Sequence, residues 1–293
     1  MKNIVITFWI VLLLGVVGHL RAQTTLQVAT KQLQKEYEGI HTIYLDTEKA
    51  DIEIVVWNKA KVSLEVSWSA KHPEKEIATR DLNLLKIEMI SKKGGLTLRN
   101  FLLIAQNDKK PESNFKTKFI LKIPEKLDIE IRNSFGKINI QGETKKLVIN
   151  SEFCILHLNQ IKGNSKIQTK YGEVFINGLE GVTAIKSERT NLNIKHFSGT
   201  QGIHSYYGTV ILNEPLGLQS LTISADKSDI KLEEVTIKKY NIALSTSFGK
   251  LIIPSELGQI NTLKNSQNIN FTSNEKASIK IINKAGNITL EKR

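Results

Sequence analysis

The feature that most constrains this chain is a repeat. Around Gly136 it reads Ser134-Phe135-Gly136-Lys137-Ile138-Asn139-Ile140, and the pattern returns at Cys154, Gly172, Thr190 and Gly208, each eighteen residues after the last. It continues at Ser228, Gly249, Gln267 and Gly286 with spacings of 20, 21, 18 and 19, so nine copies run from about Leu127 to the last residue. Two positions past each reference residue stand Ile138, Leu156, Val174, Leu192, Val210, Ile230, Leu251, Ile269 and Ile288. Four past it stand Ile140, Leu158, Ile176, Ile194, Leu212, Leu232, Ile253, Phe271 and Leu290. Five before it every copy has Ile or Leu except one, where Thr262 stands.

Apolar residues two apart point to one face of a strand, and the residue between them points to the other. Each copy thus supplies a strand on either side of a bend. So small a unit cannot bury its apolar side alone. Stacked copies give every column a neighbour ~4.8 Å away and build one continuous core. The expected fold is all-β, a single-stranded parallel β-solenoid with coils of eighteen residues, wound right-handed by the general crossover preference. Gly163, Gly181, Gly199, Gly217 and Gly258 stand where a corner needs a left-handed backbone. An antiparallel meander would not hold so constant a period, and two-residue hairpin signals between the strands are missing.

Upstream the pattern is less regular. Ile43-Tyr44-Leu45, Asp51 to Trp57 and Lys61 to Trp68 alternate like strands, and Pro73 to Asp81 reads as a short helix. Strand character resumes over Leu84 to Ile90, Gly95 to Ile104 and Phe115 to Ile123, around a polar loop from Gln106 to Ser113. Ala50-Asp51-Ile52-Glu53-Ile54 echoes the repeat, as does Gly94-Gly95-Leu96-Thr97-Leu98. Residues 23–126 therefore read as irregular coils capping the regular solenoid of 127–293. Residues 1–22 carry Lys2, an apolar run from Ile4 to Gly18 and the small residue Ala22, the order of a secretory signal peptide. The run is shorter than the ~20 residues of a bilayer-spanning helix. Cleavage after Ala22 would export the chain to the periplasm, the outer surface or the medium, with no transmembrane span left.

Removing Lys2 and Arg21 leaves 39 basic residues against 29 acidic ones. That surplus suits a solvated, aggregation-resistant surface, the plainer reading, and would also favour an anionic polysaccharide or lipid surface as partner. The lysines are scattered along strands instead of clustered, which argues against nucleic acid. The sole cysteine, Cys154, cannot form an internal disulfide and reads as a small hydrophobe at a tight bend. No histidine or cysteine spacing suits a metal, no cofactor motif is present, and no Gly-x-Ser-x-Gly elbow occurs.

Glycoside cleavage would need two acids close together. The column two before the reference residue instead alternates Glu152, Lys170 and Glu188, a charge ladder. Trp57 and Trp68 lie on period-two strands and read as core. One column is suggestive. Immediately before the reference residue stand Phe135, Phe153, Tyr171, Arg189, Tyr207, Lys227 and Phe248, with Tyr206 alongside. Turned inward, this stripe is a core ladder. Turned outward among lysines, it could stack on sugar rings. Phe135, Tyr171, Tyr206, Tyr207 and Phe248 are accordingly the candidate ligand surface. No catalytic residue is assigned.

On the Lys49-Ala50-Asp51-Ile52-Glu53-Ile54 strand, the Leu121-Lys122-Ile123-Pro124 entry and the recurrent Gly-x-Ile-x-Ile copies, the chain resembles a bacterial envelope family of unknown function. That family is described as a β-strand-repeat or "putative adhesin" domain, and the signal ending Arg21-Ala22-Gln23 looks like those of Bacteroidetes. The resemblance implies a β-helical fold and an envelope location, and no activity. The expected function is non-enzymatic: an elongated surface for a protein partner or an anionic glycan. A carbohydrate-active β-helix enzyme and a purely structural or signalling component are the rival readings.

Overall fold

The computed structural model describes residues 26–106 and 109–293; the expected signal peptide lies outside them. The N-terminal part contains β1 (Gln27–Glu38), β2 (Thr42–Glu48), β3 (Ala50–Val56) and β4 (Lys61–His72), then the helix α1 (Lys75–Leu82). β5 (Leu85–Lys92), β6 (Gly95–Leu102) and β7 (Asn114–Ile123) follow. The middle is four long strands: β8 (Asp128–Gln141), β9 (Lys146–Lys170), β10 (Glu173–Glu188) and β11 (Asn191–Val235). The C-terminal part contains β12 (Asn241–Ser247), β13 (Leu251–Ile252), β14 (Asn261–Leu263), β15 (Ser266–Phe271), β16 (Ser278–Lys284) and β17 (Ile288–Lys292).

The middle strands pair in parallel with the register that the repeat dictates. Asp128 faces Lys146, and Glu173 faces both Ile155 and Asn191, each eighteen residues away. Ile176 is flanked by Leu158 and Ile194 and is almost fully buried. One cluster of buried side chains extends from Tyr37 to Leu290.

β11 runs unbroken for 45 residues because a corner here is a single residue and not a loop. The column before the reference residue, from Phe135 through Phe153, Tyr171, Arg189 and Tyr207 to Lys227, is left-handed throughout, with φ between 48° and 63°. Each bend keeps its ladder hydrogen bond. The Tyr171 N–H donates to the Glu188 carbonyl at 3.0 Å, and that of Arg189 to the Tyr206 carbonyl at 2.8 Å. The glycines expected at corners do have positive φ, Gly181 most of all at 113°.

Cys154 occupies a slot that also takes hydroxyls. Its buried Sγ lies 3.2 Å from the Glu152 carbonyl, and Thr190 Oγ1 donates equivalently to the Glu188 carbonyl at 2.9 Å. Burial pushes the thiol pKa up, so Cys154 stays protonated and structural.

The ends depart from simple stacking. At the N-terminus β2 and β3 lie in register on β8, with Ile43 beside Ile129 and Ile52 beside Ile138. On their other side lie β6 and β7, also parallel. β5 then covers β6, β4 covers β7 and β1 covers β4, all antiparallel. The chain therefore runs outward through β4, α1 and β5 before returning inward. The helix starts at Lys75, because Pro73 and the extended Glu74 (ψ 122°) stand ahead of it. Buried Asp81 accepts the backbone N–H groups of Glu112 and Ser113, both at 2.8 Å, and so ties the helix to the segment leading into β7.

At the C-terminus two sequence expectations need correction. The Gln267 copy does not stack in parallel: β15 runs antiparallel to β12. Its chain is reversed by the turn at Ser255–Leu257, by Gly258 at φ 99° and by the two-residue link between β14 and β15. Thr262, the one polar residue in its column, is exposed on β14. Nor does the coil at Gly249 follow the coil at Ser228. The last coil enters between them, with Ser278 between Ser220 and Asn241, and Ile288 between Ile230 and Leu251.

Candidate functional site

The corner column faces outward. Phe135, Phe153, Tyr171 and Tyr207 are between 37 % and 47 % exposed. The coil spacing sets their rings face to face: Phe135 on Phe153 and Phe153 on Tyr171, both with centroids 4.9 Å apart. The Arg189 guanidinium then lies between Tyr171 and Tyr207, 5.5 and 5.6 Å from their rings, and donates to the Tyr171 hydroxyl at 3.3 Å. Lys227 caps the row 4.8 Å from the Tyr207 ring and donates to its hydroxyl at 2.7 Å. That bond draws the Tyr207 phenol below its ordinary pKa, and Tyr206 sits edge-on to it at 4.4 Å.

This geometry limits what the row can do. Both faces of Phe153, Tyr171 and Tyr207 are covered by neighbours, so a ligand meets ring edges and phenol oxygens. Flat stacking of a sugar on these rings is not available. Phe248 is not part of the row. The inserted last coil places Ala285 between Lys227 and Phe248, as the pairing of Lys284 with both Asp226 and Ser247 requires.

Beside the corner a groove runs along the stack. Its banks are the columns four and two residues before the reference position, whose side chains stand out from the sheet. One stretch, about 320 Å³, is lined by Asp46, Arg132, Asn150, Glu152, Gln168, Lys170, Lys186 and Glu188 among others. A second, about 400 Å³, shares Lys186 and Glu188 and continues past His204 and Tyr206 to Ser224 and Asp226. Together they cross seven coils, a length of about 30 Å at one strand spacing per coil. The charges on the two banks nearly cancel. Lys170 pairs with Glu188 at 3.5 Å, which is one half of the charge ladder expected from the sequence; no ion pair joins Glu152 to Lys170 among the described residues.

Of the five sequence candidates, Tyr206 lines the groove, Phe135, Tyr171 and Tyr207 form the adjoining corner, and Phe248 stands apart. Sequence reasoning missed Arg132, Asn150, Gln168 and Lys186. Their column is polar in every one of these coils, and the same eighteen-residue register would have aligned it.

The fold and surface define a class, the all-β repeat proteins whose stacked parallel coils are closed by antiparallel strands. Within it, the chain matches Toastrack DUF4097 over residues 40–291 and belongs to that family. Three solved structures are similar to the chain over most of their length. A "putative adhesin" from Bacteroides fragilis is 14% identical, with 90% of this chain and 97% of that one covered and a TM-score of 0.51. Another from Parabacteroides distasonis is 10% identical over 90% of this chain and 97% of that chain, with a TM-score of 0.46. A "putative cell adhesion protein" from Clostridium sporogenes is 13% identical over 90% of this chain and all of that one, with a TM-score of 0.29. At 14% identity the likeness to the Bacteroides fragilis protein is one of fold alone. No curated protein matches the chain.

Proposed function

We propose that this is an exported, non-enzymatic envelope protein that binds an extended ligand along the groove, and that a linear glycan is the class the groove fits best. The observation that carries the reading is that two adjoining hollows, which share Lys186 and Glu188, are lined by residues from seven coils. Polar groups recur on its banks at each coil, so a polymer with hydroxyls at a similar repeat can bond at every step. Asn150 and Gln168 both donate and accept, which suits sugar hydroxyls. With the charges nearly balanced, affinity rests on hydrogen bonds more than on net charge. Binding is therefore only weakly dependent on salt, unlike the anion binding suggested by overall composition.

The rival enzyme would need paired acids with an unencumbered carboxyl group. In the groove Glu152 and Glu188 are separated by a coil carrying Lys170, whose ammonium is committed to Glu188. Calorimetric titration with neutral linear oligosaccharides tests the proposal. Replacing Asn150 and Gln168 together by alanine should weaken binding by about tenfold, from two hydrogen bonds of ~0.5–1.5 kcal/mol each. Asn193→Ala, three positions past the reference residue Thr190 and outside the groove lining, should bind like wild type. Unchanged affinity in the double variant, or release of shortened sugar, would count against the reading.

A further inference from the structure

Phe248 has an environment unlike that of the other corner rings. It is 67 % exposed, and among the described residues it has no ring or cation against either face, since Ala285 is its neighbour in the stack. Leu263 is 74 % exposed, and these two are the most exposed large apolar side chains described. They belong to one place. The Phe248 N–H donates to the Asn265 carbonyl at 2.7 Å, and Ser266 pairs with both Leu263 and Ser247. Ile282, also exposed, lies one strand away beside Ser245 on the same outward face.

Charge gathers at the same end. Residues 236–293 hold nine lysines and arginines against three acids, most of the surplus left after signal removal. Lys264 lies in the turn between Leu263 and Ser266, Lys284 is cross-strand from Ser247, and Lys250 follows Phe248 by two positions. All three are exposed, and none has a carboxylate within 4.0 Å among the described residues. Among the described residues neither apolar side chain belongs to the buried core, and Lys284 has only the cross-strand Asp226 as a nearby acid.

We propose that this end of the solenoid docks on an anionic phospholipid surface, with Phe248 and Leu263 entering the acyl boundary and Lys250, Lys264 and Lys284 resting among the headgroups. Exposed apolar side chains ringed by unpaired cations are what an interfacial lipid contact requires. A soluble polyanion would engage the lysines and leave Phe248 and Leu263 unused. The apolar pair is what selects a bilayer. The patch adjoins the end of the groove, since Lys284 lies cross-strand from Asp226, but Phe248, Leu263 and the three lysines are not among the groove's lining residues, so vesicle and glycan binding are read separately.

Co-sedimentation of the mature protein with vesicles tests it. Vesicles of phosphatidylcholine containing phosphatidylglycerol should carry the protein into the pellet, and phosphatidylcholine alone should not. Phe248→Ser with Leu263→Ser should lower the partition by more than about tenfold, while melting like wild type because both side chains are exposed. Lys264→Glu and Lys284→Glu should each lower it at least about fivefold. Asn193→Ala should pellet normally. Equal pelleting with both vesicle types would overturn the proposal. So would undiminished binding of the double serine variant, which would leave only a soluble-polyanion contact, and so would self-association of the protein at this end without vesicles.

Discussion

Phe153 holds φ at 53°, a conformation that costs an L-residue ~1–2 kcal/mol relative to glycine. The rings of Phe135 and Tyr171 on either side offset this, each stacked pair contributing ~0.5–1.5 kcal/mol beyond burial. Two substitutions separate the effects. Phe153→Ala keeps the backbone penalty and loses both contacts, so it should destabilise by ~1–3 kcal/mol in urea unfolding. Phe153→Gly loses the same contacts but relieves the backbone and should recover about 1 kcal/mol. If the alanine variant is the more stable, the corner is not strained in the way described. The glycine corners allow a parallel comparison. A Cβ on Gly181 would lie 2.3 Å from the Gly163 carbonyl oxygen, whereas one on Gly217 would meet nothing within 4 Å. Gly181→Ala should therefore cost well over 2 kcal/mol, and Gly217→Ala only the ~1 kcal/mol of its left-handed φ. Equal losses would show that the close approach between coils is not tight.

The elements put the last coil in an unusual place. β16 is the only bridge between β11 and β12, which do not pair with each other among the described residues. Ile281 is fully buried between Ile223 and Leu244, and Ile281→Ala should cost 2–5 kcal/mol by leaving a cavity. Native-state hydrogen exchange should show amides of β11 and β12 losing protection together. Loss confined to β12 would restore the sequential order of coils.

That order was hidden in the sequence for a physical reason. The columns say which face Ile281 takes, because apolar residues alternate with polar ones. They do not say which copy is its neighbour, because every copy offers the same Ile-x-Ile edge. Thr262 was the one readable warning, and it marks the copy that leaves the parallel stack. The fold class, the core columns and the corner glycines were legible in the period alone. The groove was half legible: the Glu152–Lys170–Glu188 bank stood out by its charge, and the Asn150–Gln168 bank did not. The outward turn of the corner could not be read, since aromatic residues suit a core and an exposed ladder equally well.

On the scale of the whole molecule, the two surfaces proposed to bind differ in kind. The groove is long, polar and nearly neutral, while the C-terminal end is apolar and basic. A net charge read from composition could not separate them. An axis-parallel groove makes one demand that a local pocket does not: affinity must depend on ligand length. The direct measurement is calorimetric titration of the protein with one linear glycan in a graded series from disaccharide to dodecasaccharide. Affinity should climb with each added sugar until the chain spans about 30 Å, then level off, with every oligosaccharide recovered uncut. Affinity already complete at the disaccharide, or products shorter than the sugar supplied, would contradict it.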